Sequence, residues 1–199
     1  MSIRSLSALS ALAAALALSG CVKLGSKPPA HLLTLAADPL PDAAKDISSK
    51  GRPTLAVLPP DLPRKLATTR IPVQVDPTTV AYVKDAQWTE SPRDLFQRLL
   101  GATLGAESGV FVVNDAQYGL RPARRLSGEL VDFGLDAETR EAVVTYDATL
   151  VTVEDHQAER RRFTARVPVS TIKAGTVAAP LSRAANMVAH AVAAWVKTN

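Results

Sequence analysis

The sequence predicts an α+β fold: a mostly antiparallel or mixed sheet with two amphipathic helices packed on one face. Three observations predict it. Short apolar runs bounded by proline, glycine and aspartate fill the region before residue 90. A well-capped amphipathic helix follows at mid-chain. Long alternating strands and a second amphipathic helix then close the chain. The order strands, helix, strands, helix is that of helices segregated to one face of a sheet.

The first strand candidate is His31-Leu-Leu-Thr-Leu-Ala36, followed by a polar, proline-containing loop to about Pro53. Thr54-Leu-Ala-Val-Leu58 is a compact apolar run stopped by Pro59-Pro60, as expected of a buried strand. Ile71–Val75 and Thr79–Val83 alternate around Asp76-Pro77 and read as a hairpin. Pro72 cannot donate to a ladder, which assigns its strand to a sheet edge.

Ser91-Pro92-Arg93-Asp94 starts the clearer helix. Ser91 suits the N-cap, Pro92 the first helical position, and Asp94 the positive end of the helix dipole. Leu95, Phe96, Leu99, Leu100, Thr103 and Leu104 share one face, with Gln97, Arg98 and Glu107 off it. Ser108-Gly109 ends the helix, and Val110–Val113 is a short strand. Arg125–Phe133, Glu141–Val153 and Arg161–Val169, joined by short polar turns, read as an antiparallel meander. The second of these places Val144, Tyr146, Ala148, Leu150 and Thr152 on one side, the pattern of a half-buried strand. A second helix is expected from about Thr176 to Lys197, with Val177, Leu181, Ala184, Val188, Ala191 and Trp195 as its apolar stripe and Pro180 in its first turn. Trp195 is assigned to the core, and Trp88 to packing on the first turn of the mid-chain helix.

The chain has 199 residues, 47% apolar and 21% charged, with a formal net charge of +4. So mild a charge predicts an ordinary mixed surface and no nucleic-acid partner, while leaving a modest attraction to anionic headgroups. The single cysteine, Cys21, excludes an internal disulfide and any paired-thiolate metal site. The three histidines, His31, His156 and His190, fall in three separate elements, with no Gly-x-Ser-x-Gly elbow and no HxxxH spacing. No P-loop motif is present. The expectation is a non-enzyme with no metal and no catalytic residue. Arg160-Arg161-Arg162 reads as a solvated strand entrance, with contact to an acidic lipid or partner as the minor alternative.

The N-terminus joins Arg4 to an apolar run, Leu6–Leu18, that ends in Ser19-Gly20-Cys21. A positive start, an apolar stretch and small exit residues are the parts of a secretory signal, and this run is shorter than the roughly 20 residues that span a bilayer. Leu18-Ser19-Gly20-Cys21 resembles the lipobox of bacterial lipoproteins. That resemblance implies cleavage after residue 20 and a covalent lipid on Cys21, the only non-protein group expected. The division is then a cleaved signal over 1–20, the lipidated cysteine and a short tether over 21–30, and one domain over 31–199. Val22 stands where inner-membrane lipoproteins commonly carry aspartate. By that sorting rule the periplasmic face of the outer membrane is favoured over the inner membrane.

The segment Leu55-Ala-Val-Leu-Pro-Pro-Asp-Leu-Pro-Arg-Lys-Leu66, then Arg70-Ile71, Gln87-Trp88 before the helix, and Glu129-Leu-Val-Asp-Phe133 resemble, in content and order, the ABC-type transport auxiliary lipoprotein family. The resemblance covers almost all of residues 31–197, although the first strand starts with His31-Leu32 where the family is usually aromatic. It implies a non-catalytic auxiliary component beside an ABC permease and ATPase and a protein with a mammalian-cell-entry domain, in a system that moves lipid or other hydrophobic compounds. The rigid loop Pro59-Pro60-Asp61-Leu62-Pro63 is the expected partner contact, with a plain strand-ending turn as its equal alternative. The competing function is a lipid-anchored carrier holding a hydrophobic ligand inside its own domain. Homo-oligomerisation is compatible with either.

Overall fold

The computed structural model describes residues 30–38, 48–113 and 121–198. Its elements are β1 (His31–Leu33), β2 (Thr54–Val57), a 3-10 turn (Arg64–Leu66), β3 (Arg70–Asp76), β4 (Thr79–Trp88), α1 (Pro92–Glu107), β5 (Phe111–Val113), β6 (Arg124–Asp136), β7 (Glu141–Thr152), β8 (Gln157–Pro168) and α2 (Ala178–Thr198). The eight strands form one mixed sheet, so the α+β expectation holds. Its long pairings, β3–β4, β6–β7 and β7–β8, are antiparallel hairpins. Its parallel pairings are short: β1–β4, β2–β5, β2–β6 and β3–β6.

β6 organises the sheet. One edge pairs with β7 along its whole length, from Arg124↔Thr152 to Asp136↔Glu141. The other edge is divided: β2 takes Arg124–Leu126, and β3 takes Leu135 and Asp136. β3 is therefore an interior strand, and the edge position expected from Pro72 is wrong. Pro72 is accommodated because the β3–β6 pairing begins only at Val73 and because β6 carries Gly134 opposite it. A Cβ on Gly134 would stand 2.5 Å from the Pro72 carbonyl oxygen and 2.8 Å from its ring. Glycine makes room for a proline that contributes no ladder bond there.

α1 begins as its sequence dictates: Ser91 Oγ accepts from the Arg93 amide, and Pro92 opens the helix. All six stripe residues are buried. Gln97, assigned off the face, is half-buried, and its Nε2 donates to Val57 O at 2.8 Å. At the other end the Arg52 guanidinium bonds Gly105 O (3.3 Å), Gly109 O (3.1 Å) and Val110 O, bringing positive charge to the helix's negative end.

Pro180 lies in the first turn of α2, as required. Ala191, however, is exposed, while Ala185, Ala189, Val192, Ala193 and Val196 are buried. The stripe read from sequence runs along one margin of a broader buried arc. A strict seven-residue repeat drifts around a straight helix, and Ala191 falls outside the arc.

Between the helices and the sheet lies a filled core. Trp88 is buried against Phe133 of β6, with ring centroids 5.0 Å apart, rather than being simply a cover for the first turn of α1. Phe96 meets Phe133 at 6.3 Å and Tyr146 at 5.2 Å, and Trp195 meets Phe163 at 5.6 Å. β7 departs from the half-buried expectation. Val143, Thr145 and Asp147, on the face away from the helices, are also nearly inaccessible.

Candidate docking surface

The loop Pro59–Pro63 is the third occupant of the divided edge of β6. Leu58 N donates to Leu126 O at 2.9 Å, Asp61 N to Gly128 O at 2.8 Å, and Leu130 N to Asp61 O at 2.9 Å. An isolated parallel bridge, Asp61↔Glu129, results. Pro59 and Pro60 have no N–H, so the chain touches β6 only at residues 58 and 61, and it continues past β2 without forming a strand. The segment is thus both a strand terminator and a rigid strip laid on the sheet. Pro60 is buried and Leu62 packs on the core margin, whereas Pro59 and Asp61 face solvent.

Beneath this strip Gly128 lies against Tyr146. A Cβ at 128 would stand 2.9 Å from the phenol ring and 2.0 Å from Asp147 O, so only glycine fits. The Tyr146 hydroxyl is buried and has no hydrogen-bond partner among the described residues. Burial, and secondarily the charge of Asp61, push its ionisation far above the ordinary tyrosine range.

The sheet face opposite the helices carries paired charges. Lys65 Nζ meets Asp132 Oδ1 at 2.6 Å. Arg166 reaches Glu141 at 3.0 Å and Asp136 at 3.5 Å. Arg162 and Arg160 both turn to Asp147 of β7. Asp147 itself is held below the ordinary carboxylate range, first by the Arg162 hydrogen bonds and then, against the cost of burial, by the charges of Arg162 and Arg160. Two of the three consecutive arginines, Arg160 and Arg162, are therefore compensated across the strand pair by Asp147, whereas Arg161 lies over the Phe163 ring, 5.5 Å from its centroid. Asp147 carried a sequence signal, an acid spaced to fall on the polar side of β7, but its partner depended on register.

The histidines are dispersed. His31 is exposed, His156 sits in the β7–β8 turn and contacts Glu154 O at 3.2 Å, and His190 of α2 bonds Glu107 of α1 at about 3 Å. Among the described residues no cluster of His, Cys, Asp and Glu is arranged to hold a metal ion, and no helix is long and apolar enough to cross a membrane. Leu18, Ser19, Gly20 and Cys21 lie outside the described residues.

One further clamp had no sequence signal. Asn186, buried in α2, donates from Nδ2 to Ala36 O (2.8 Å) and to Ser182 O (2.8 Å), and its Oδ1 accepts from Asp38 N (2.9 Å). It fixes the segment following β1 to the second helix, on the rim of an open groove of about 950 Å³ bordered by Val167 and Met187.

Residues 33–193 match the family described as ABC-type transport auxiliary lipoprotein component. Among curated proteins none matches the chain. Solved structures share the fold. A Xanthomonas campestris protein of the DUF330 family is 20% identical, with a TM-score of 0.67, covering 84% of this chain and 94% of its own. A hypothetical protein from Chlamydia trachomatis is 8% identical, with a TM-score of 0.52, covering 75% of this chain and 100% of its own.

Proposed function

The chain belongs to the ABC-type transport auxiliary lipoprotein component family, and from that premise we propose the following role. Cys21 is acylated after cleavage at residue 20, and the domain is held at the periplasmic face of the outer membrane. There it serves, without catalysis, as the docking component of an ABC permease and ATPase and a protein with a mammalian-cell-entry domain that together move lipid or another hydrophobic compound. The single observation that carries this reading is the family match over residues 33–193 in a chain that also bears Leu18-Ser19-Gly20-Cys21. The filled core supports docking over carriage. Trp88, Phe96, Phe133 and Tyr146 occupy the space between helices and sheet where an internal ligand would sit.

Two experiments test the proposal. Cys21→Ser should abolish incorporation of labelled palmitate and leave an uncleaved precursor; normal labelling defeats the anchoring. Affinity purification of the acylated protein from membranes should recover the transporter components, and failure to recover any of them defeats the docking role. For the contact itself, the exposed Pro59 and Asp61 are the reachable part of the strip, so Asp61→Arg is the informative variant. Leu62→Asp would place a charge against the core and test folding instead.

A further inference from the structure

The pairing of β1 fixes the side from which the domain meets its anchor. β1 runs parallel to β4, with His31 beside Ala86. The chain therefore enters the domain from the end of the sheet where β4 begins, which is the β3–β4 turn at Asp76–Thr79. Seven residues separate Thr79 from Ala86, so the hairpin projects roughly 23 Å beyond the entry point, at the usual rise of a strand. From Val22 to Ala30 the tether has nine residues and reaches at most roughly 30 Å. With the strands upright on the membrane, a fully drawn-out tether leaves the hairpin tip within about 10 Å of the acylated cysteine, and any shorter one brings the tip to the lipid.

The composition of the tip suits that position. Among the described residues, Val75 and Val80 are two of the five large apolar side chains that stand exposed, at 43% and 37%. Val80 pairs with Gln74, so it shares Gln74's face and Val75 takes the other. An apolar group thus projects from each face, with Pro77 between them. Thr78 bonds the Asp76 carboxylate through both its N–H and its hydroxyl, at 2.8 Å each. Those bonds hold the Asp76 carboxyl below its ordinary range, so the tip keeps an ionised group, which opposes burial deeper than the headgroup layer.

Resting on the acylation of Cys21 proposed above, we infer that the β3–β4 hairpin tip, with Val75 and Val80, is a second, shallow membrane contact that orients the domain on its lipid surface. The acylated full chain, reconstituted in phosphatidylethanolamine/phosphatidylglycerol vesicles, tests it. Because Cys21 is the sole cysteine and its thiol would be blocked, an introduced cysteine carries the only reactive thiol. Val80→Cys and, independently, Val75→Cys would be labelled with an environment-sensitive fluorophore. Asp155→Cys, in the β7–β8 turn at the far end of the sheet, serves as the reference. Both hairpin probes should shift to the blue on vesicles and be quenched by nitroxide-labelled lipid, while the Asp155 probe stays aqueous. Palmitate on the protein with aqueous hairpin probes overturns the hairpin contact alone. A shift at all three sites equally overturns it as well, because contact would not be specific to this end. Absence of palmitate overturns the anchoring and the hairpin contact together.

Discussion

The Arg162 guanidinium grips the Asp147 carboxylate at two points, Nε to Oδ1 at 2.6 Å and Nη2 to Oδ2 at 2.7 Å. The acid sits mid-sheet with its side chain only 10% exposed, while the arginine is 63% exposed. This geometry gives stability a pH dependence. The folded carboxyl titrates below its ordinary value, so the stabilisation is complete above roughly pH 4 and is lost as pH falls through the folded value. Arg162→Ala should cost about 1 kcal/mol or less at neutral pH, since one partner is solvated. The gap between wild type and variant should close in acid. Thermal melts of both proteins from pH 7 to pH 3 check this, and a gap that stays constant would contradict the assignment.

Gly128→Ala should be strongly destabilising, by about 1–3 kcal/mol or more, because the added methyl meets Asp147 O and the Tyr146 ring with no room to relax. Gly175, where a Cβ would meet none of the described residues within 4 Å, supplies the control. Gly175→Ala should stay within about 0.5 kcal/mol. Urea denaturation midpoints of the two variants decide the matter.

On α1, Leu99→Ala should cost about 2–5 kcal/mol by emptying a buried site. Gln97→Ala should cost roughly 1 kcal/mol through loss of its bond to Val57 O, although sequence pattern assigns it to the solvent face. Arg93→Ala, fully on that face, should be neutral within about 0.5 kcal/mol. Equal denaturation midpoints for the glutamine and arginine variants would show the Gln97 bond to be dispensable.

Asn186→Ala should release the segment after β1. Three hydrogen bonds are lost, and hydrogen exchange at the Asp38 amide should accelerate well beyond that at amides of β7. Asn186→Asp keeps the acceptor for Asp38 N but removes both donors, so it should protect that amide more than alanine does. Identical exchange in the two variants would indicate that the Asp38 bond contributes nothing.

What the sequence determined by itself is local. The cap at Ser91, the stripe from Leu95 to Leu104 and the three-strand meander rest on interactions between residues close in the chain, and their periodicity is legible without partners. The signal-like start and Cys21 are equally local chemistry. Only the tertiary structure decided what β6 does with its second edge: β2, the Pro59–Pro63 strip and β3 divide it among themselves, which places Pro72 inside the sheet opposite Gly134. Parallel pairings of this kind join segments some sixty to seventy residues apart, and no turn sets their register. The buried outer face of β7, the margin on which Ala191 falls and the partners of Asp147 and Gln97 have the same origin. Each depends on which neighbour arrives from a distance, and side-chain period along one strand or helix carries no record of that neighbour.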